Sequence, residues 1–312
     1  MAKLWICSSN PDHKFISATV DNFCDKCPPY SGVLIENEDT EDSNLIQSNS
    51  NDDNVKIGVG LYMFLVDSSG SMFNENAFPE VNITRAKLVS AQISGAIFNM
   101  EETTKKEDAY IFILLFDHTL KPFINFMSLD YIFKKFKSAQ ELESSLFHEM
   151  EKMKGATDIN LALKTAYFHA QKFINGELET IGKIEPMCHA VFNPNTGDDK
   201  IIPNVRCLIF TDGQQYTGPN SDNHIYNNPF DEFIYNGENI NILMAAYHGN
   251  STDNGCSELM SIVSNCHVHN KPQFFLFDKV NQIGDMYKLF RMASGPSGFC
   301  QDCLNSLKLT DR

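Results

Sequence analysis

Three short stretches of the chain carry oxygen-bearing side chains where apolar runs end. In FLVDSSGSMF the run closes on Asp67, and Ser69 and Ser71 follow at alternate positions. In KGATDINLAL, Thr157 opens a helical pattern just after Gly155, with Asp158 beside it. In LIFTDGQQ, Asp212 closes another apolar run. Carboxylate and hydroxyl oxygens suit a hard divalent cation such as Mg²⁺. No His or Cys belongs to this constellation, which disfavours zinc there. Hydroxyls are weak neutral donors, so a cation held by them stays electrophilic, and a carboxylate from another protein is its natural further ligand. One Asp-x-Ser-x-Ser run alone reads more readily as a turn bonded to its own backbone. Three such stretches together, each in a loop of the predicted strand-and-helix pattern, favour the metal.

The elements that must position these residues follow from hydrophobic patterning. GLYMFLVD, AYIFILLF (Ala109 to Phe116), Val205 to Phe210, Ile242 to Ala246 and Phe274 to Phe277 are short continuous apolar runs, as strands buried on both faces require. KPFINFM, residues 121 to 127, reads as an edge strand because Pro122 is tolerated there. Helical spacing predicts helices after Asn82, which is placed to cap the first, and over 139–153, 158–174, 256–264 and 280–292. Strands alternating with helices predict an α/β fold: a doubly wound, mostly parallel central sheet with helices on both faces. In such sheets ligands bind at the carboxyl ends of the strands, where Asp67 and Asp212 fall.

The order Asp67, Ser69, Ser71, Thr157, Asp212 resembles the metal-ion-dependent adhesion site of the von Willebrand factor A (vWA) family, over about residues 57–293. The resemblance implies a Rossmann-like fold in which Ser69 and Ser71 bind Mg²⁺ (or Mn²⁺) directly. It also implies that Thr157 binds directly or through water, and that Asp67 and Asp212 hold coordinated waters. The partner implied is a protein that offers an acidic residue to the cation. Many prokaryotic vWA proteins similar to this one act beside ATPases or kinase–phosphatase pairs, in stress or tellurite-resistance systems.

The nine cysteines suggest a second chemistry. Cys7, His13, Cys24 and Cys27 have the types for a Cys₃His zinc site, which would stabilise a zinc-ribbon-like segment, residues 1–32, too short to bury a core. Cys300 and Cys303 form a second close pair in the tail, residues 294–312. Their completing ligands are open among Cys256, Cys266, His267, His269, the N-terminal segment and a second chain. Residues 33–56, acidic and rich in Asn and Ser, read as a linker.

A net charge of −15 without a basic block argues against nucleic acid or an anionic membrane as partner. The N-terminus lacks a signal-peptide pattern and no apolar run is long enough to span a bilayer, so a cytoplasmic setting with reduced thiols is expected. No P-loop, nucleophile elbow or His-Glu-x-x-His is present. The expectation is therefore a binding module and not an enzyme. A metal-dependent hydrolase or an extracellular adhesion domain are the alternatives. The stretch 213–239 borders Asp212, and its aromatics Tyr216, Tyr226, Phe230, Phe233 and Tyr235 are expected to be exposed and to shape partner choice.

Overall fold

The computed structural model describes residues 3–7, 10–17, 34–37, 55–74, 76–100, 108–179, 181–192, 199–219, 229–230, 233–235, 237–266, 268–293 and 299–306. Three strands come first, β1 (Lys3–Cys7), β2 (Asn10–Ser17) and β3 (Leu34–Asn37), in an antiparallel sheet ordered β2-β1-β3. Leu34–Asn37 thus pairs with β1 at the start of the stretch read as linker.

The main sheet opens with β4 (Lys56–Asp67), followed by α1 (Ser71–Asn74), α2 (Arg85–Asn99), β5 (Ala109–Phe116) and β6 (Leu120–Ser128). Helices α3 (Leu129–Lys135), α4 (Ala139–Glu151) and α5 (Ile159–Ile174) come next. Four short strands occupy the long connection after them: β7 (Glu177–Leu178), β8 (Gly182–Pro186), β9 (Cys188–Phe192) and β10 (Asp199–Pro203). The chain then returns to the sheet as β11 (Val205–Thr211) and forms a small hairpin, β12 (Ile234–Tyr235) and β13 (Glu238–Asn239). It ends with β14 (Leu243–His248), α6 (Asn254–Ile262), β15 (Phe274–Phe277), α7 (Ile283–Ala293) and α8 (Gln301–Ser306).

The central sheet runs β15-β14-β11-β4-β5-β6. Every neighbouring pair is parallel except β5 with β6. The expected doubly wound arrangement is the one observed. Pro122, which has no N–H to give a ladder, lies on the edge strand β6 opposite Leu114.

Each face of the sheet carries its own core. On one, Tyr62, Phe64 and Val66 of β4 join buried residues of α2, α4 and α7; on the other, Leu61, Met63 and Leu65 join α5 and α6. The continuous apolar runs of the sequence follow from this two-sided burial. Phe290 of α7 packs 6.2 Å from Phe64 and 6.0 Å from Phe210 between ring centroids, so this helix rests on the two strands that lead to Asp67 and Asp212. The N-cap of α2 is Thr84, whose hydroxyl accepts from the Lys87 N–H, and not Asn82. The backbone bridge between Asn76 and Thr84 holds the preceding residues outside the helix. Among the described residues, no helix is long and apolar enough to cross a membrane.

Candidate metal site

The chain leaves β4 toward β5 and β6 on one side and later returns to β11, β14 and β15 on the other. The switch point therefore lies between β4 and β11, where loops diverge and leave a crevice at the carboxyl ends of the strands. Asp67 is the last residue of β4, and Asp212 directly follows β11. Register pairing of Val66 with Phe210 sets the two carboxylates beside each other. Asp67 is fully buried. Its Oδ1 accepts from the Ser69 N–H at 2.8 Å, and its Oδ2 accepts from the Thr211 hydroxyl at 2.5 Å.

The remaining oxygens converge on the same point. The Ser69 and Ser71 hydroxyls are 3.1 Å apart, and the Ser71 hydroxyl donates to Asp212 Oδ1 at 2.8 Å. Around an octahedral Mg²⁺ with bonds of roughly 2.0–2.1 Å, neighbouring ligand oxygens lie about 2.9 Å apart. The spacing of Ser69, Ser71 and Asp212 therefore fits one cation. In this structure Arg85, in the first turn of α2, pairs with Asp212 Oδ2 and supplies positive charge at the same carboxylate. Burial first, and then the negative charge of Asp212, push the Asp67 carboxyl up to about 7, although the Thr211 and Ser69 hydrogen bonds act the other way. Two carboxylates this close and this buried favour a bound cation.

Thr157 lies in the loop before α5 with its hydroxyl near the residue after Asp212: a Cβ on Gly213 would stand 3.5 Å from Thr157 Oγ1. Its N–H donates to the Tyr216 carbonyl at 2.9 Å, and its carbonyl accepts from the Tyr216 N–H at 2.8 Å. The Gly155 carbonyl accepts from Gly70 N–H at 3.2 Å, and Ser68 C=O accepts from Lys154 N–H at 2.9 Å. Two loops are thus stitched together by backbone. Asp158 caps α5 through the Leu161 N–H, and the Gln215 amide also donates to it at 3.0 Å. Asp158 therefore positions the loop without joining the oxygen cluster directly.

Two contributors were not read from the sequence. Arg85 is one. Asp117, directly after β5, is the other: it is buried, its Oδ2 accepts from Gly155 N–H at 2.8 Å, and its carbonyl accepts from Asp158 N–H at 2.8 Å. A Cβ on Gly155 would stand 2.7 Å from Asp117 Oδ2 and 1.9 Å from His118 Nδ1, so only glycine allows this approach. Neither residue had a local motif to reveal it, since each acts on partners distant in sequence.

The expected exposure of the 213–239 aromatics holds only in part. Phe230 and Phe233 are 2% exposed and pack edge-on against Tyr167. Tyr235 is half-buried, Tyr226 lies outside the described residues, and Tyr216 is 47% exposed beside Thr157.

Of the cysteine readings, Cys7 ends β1 and His13 lies within β2, whereas Cys24 and Cys27 lie outside the described residues. Cys300 and Cys303 meet Cys266 and His269, with all four ligand atoms within 4.8 Å of one another. Cys256 is buried in α6 and is not a member of this group, and His267 lies outside the described residues. Cys207 is a core thiol that burial pushes far up.

No protein-family model and no curated protein matches the chain. Among solved structures, it is similar to the von Willebrand factor type A protein from Catenulispora acidiphila, with 11% identity over 76% of this chain and 43% of that one and a TM-score of 0.45. It is also similar to proximal thread matrix protein 1 from the mussel byssus with a zinc-occupied MIDAS motif, with 12% identity, 77% and 48% coverage and a TM-score of 0.44. The PilB minor pilin from Streptococcus sanguinis gives 12% identity, 96% and 71% coverage and a TM-score of 0.46. The chain thus spans less than half the length of the first two.

Proposed function

We propose that the chain is a metal-dependent protein-docking module. Ser69, Ser71, Thr157, Asp67 and Asp212 would hold Mg²⁺ (or Mn²⁺), and an acidic residue of a partner protein would complete the coordination. The observation that carries this reading is the convergence of the Ser69, Ser71 and Asp212 oxygens, 2.8 and 3.1 Å apart, at the switch point of the sheet. When bound, the cation supplies Lewis acidity toward a carboxylate.

The chain's own part is to hold that position open and aligned. Thr211 and the Ser69 N–H fix the Asp67 carboxylate in one orientation. The bridge between Thr157 and Tyr216 ties the Thr157 loop to the loop that begins with Asp212. Tyr216, exposed at this rim, offers apolar area to the same partner. The module is non-enzymatic in this reading, and its setting is a cytoplasmic multi-protein assembly of the stress, ATPase or kinase–phosphatase type. Affinity capture from the host lysate tests it. A partner retained with Mg²⁺ should be lost both in EDTA and with an Asp67→Ala, Ser69→Ala double variant. Equal retention in all three would overturn the docking role of this site.

A further inference from the structure

We infer that Cys266, His269, Cys300 and Cys303 form a structural zinc site that fastens the chain after α7 to the loop before β15. This site is independent of the docking crevice and uses a different donor chemistry. The ligands come as two tight pairs, Cys-x-x-His on the loop and Cys-x-x-Cys at the start of α8, the spacing by which short turns present two ligands to one zinc. The pairs are far apart in sequence, Cys300 lying 31 positions after His269.

The geometry suits a tetrahedron. Bonds of about 2.3 Å to sulfur and 2.0–2.1 Å to nitrogen place two sulfurs roughly 3.8 Å apart and a sulfur and a nitrogen roughly 3.5 Å apart. Here Cys266 Sγ is 3.6 Å from Cys303 Sγ, and Cys300 Sγ is 3.9 Å from Cys303 Sγ. His269 Nδ1 lies 3.3 Å from both Cys300 Sγ and Cys303 Sγ. The Val268 N–H donates to Cys266 Sγ at 3.4 Å, which holds this sulfur within the turn that carries His269. Cys266 and Cys300 are buried, Cys303 is half-buried and His269 is exposed, and four protein ligands would complete a tetrahedron with no open substrate position. A disulfide between any two of these sulfurs would leave the third thiol and the imidazole converging on it without a role.

The neighbouring contacts show what the site would hold in place. Phe299 packs on Phe275 of the sheet at 5.4 Å between centroids, Leu304 is buried, and Lys271 pairs with Asp302 at 2.6 Å between the same two segments. A helix as short as Gln301–Ser306 has little stability of its own. Zinc ligation would supply it by closing the loop that contains β15 and α7.

The test is the zinc content of the full chain, purified without chelator, beside a Cys300→Ser, Cys303→Ser double variant. The variant should carry one zinc fewer per chain, whereas Asp67→Ala, Ser69→Ala and Cys24→Ser, Cys27→Ser variants should each keep the zinc in question. Should the double variant fail to fold, alkylation of the native wild-type chain decides. Cys266, Cys300 and Cys303 should resist modification until a zinc chelator is added. Equal zinc content, alkylation of these thiols regardless of chelator, or a disulfide among them would each overturn the inference.

Discussion

Asp117→Asn tests whether the crevice is aligned by the residue that ties its loops together. Asp117 Oδ2 accepts from Gly155 N–H at 2.8 Å, while Oδ1 accepts from the Thr119 N–H and hydroxyl at 2.7 and 2.8 Å. Asparagine has the same size but only one acceptor oxygen. Its amide nitrogen must face either the Gly155 N–H or the Thr119 donors, and one of those contacts is lost. A buried hydrogen bond to a charged acceptor contributes about 1.5–3 kcal/mol. For a domain of this size that corresponds to a fall in Tm of about 3–12 °C. Gly155 also accepts from Gly70, which lies between the two serines, so part of the cost falls on the metal site. If about 1 kcal/mol of it does, Mg²⁺ should bind roughly fivefold more weakly. Scanning calorimetry and titration calorimetry read the two quantities. A lower Tm with unchanged Mg²⁺ affinity would refute the alignment argument, and wild-type values for both would refute the role of Asp117 altogether.

The other predictions address the charge, rim and pH behaviour of the same face. Arg85→Gln removes the cation paired with Asp212 Oδ2, so Mg²⁺ should bind about three- to tenfold more tightly at low salt; weaker binding would show that Arg85 supports the metal and does not compete with it. Tyr216→Ala should weaken partner capture while Mg²⁺ affinity stays at the wild-type level, and unchanged capture would remove this rim from the docking surface. Burial, and then the charge of Arg85, hold the His248 imidazole at about 4, below its ordinary 6.5. Between those values the unfolded chain takes up a proton that the folded chain refuses, so the stability present above about pH 6.5 is lost as pH falls toward 4. A His248→Leu variant should show a shallower decline of Tm across that window, and identical slopes would contradict the assignment.

Local rules made the frame of the site legible. A strand buried on both faces must be apolar throughout, so GLYMFLVD and VRCLIF announced β4 and β11, and with them the carboxylates at their ends. Thr157 was legible because the helix after it begins with a clear apolar pattern, although the capping role of Asp158 emerged only in the structure. Arg85 and Asp117 were not, because their partners Asp212 and Gly155 lie 127 and 38 residues away and meet them only through the sheet. The buried Phe230 and Phe233 sit in a polar stretch whose composition suggests exposure; they pack on each other and on Tyr167 of α5, within the core on that face of the sheet. The Cys300–Cys303 pair was visible, with Cys266 and His269 only among several open partners, because their meeting depends on the turn held by the Asn265–Pro272 bridge and on the route of the chain after α7.

The central claim is that five side chains from three loops share one divalent cation. Anomalous diffraction from crystals soaked in Mn²⁺ tests it most directly, because manganese accepts the same oxygen ligands as magnesium and scatters strongly enough to be located. The account predicts a peak bonded to the Ser69 and Ser71 hydroxyls, with Thr157, Asp67 and Asp212 around it directly or through water. No peak in that crevice at saturating Mn²⁺, with the Arg85–Asp212 pair intact, would contradict it.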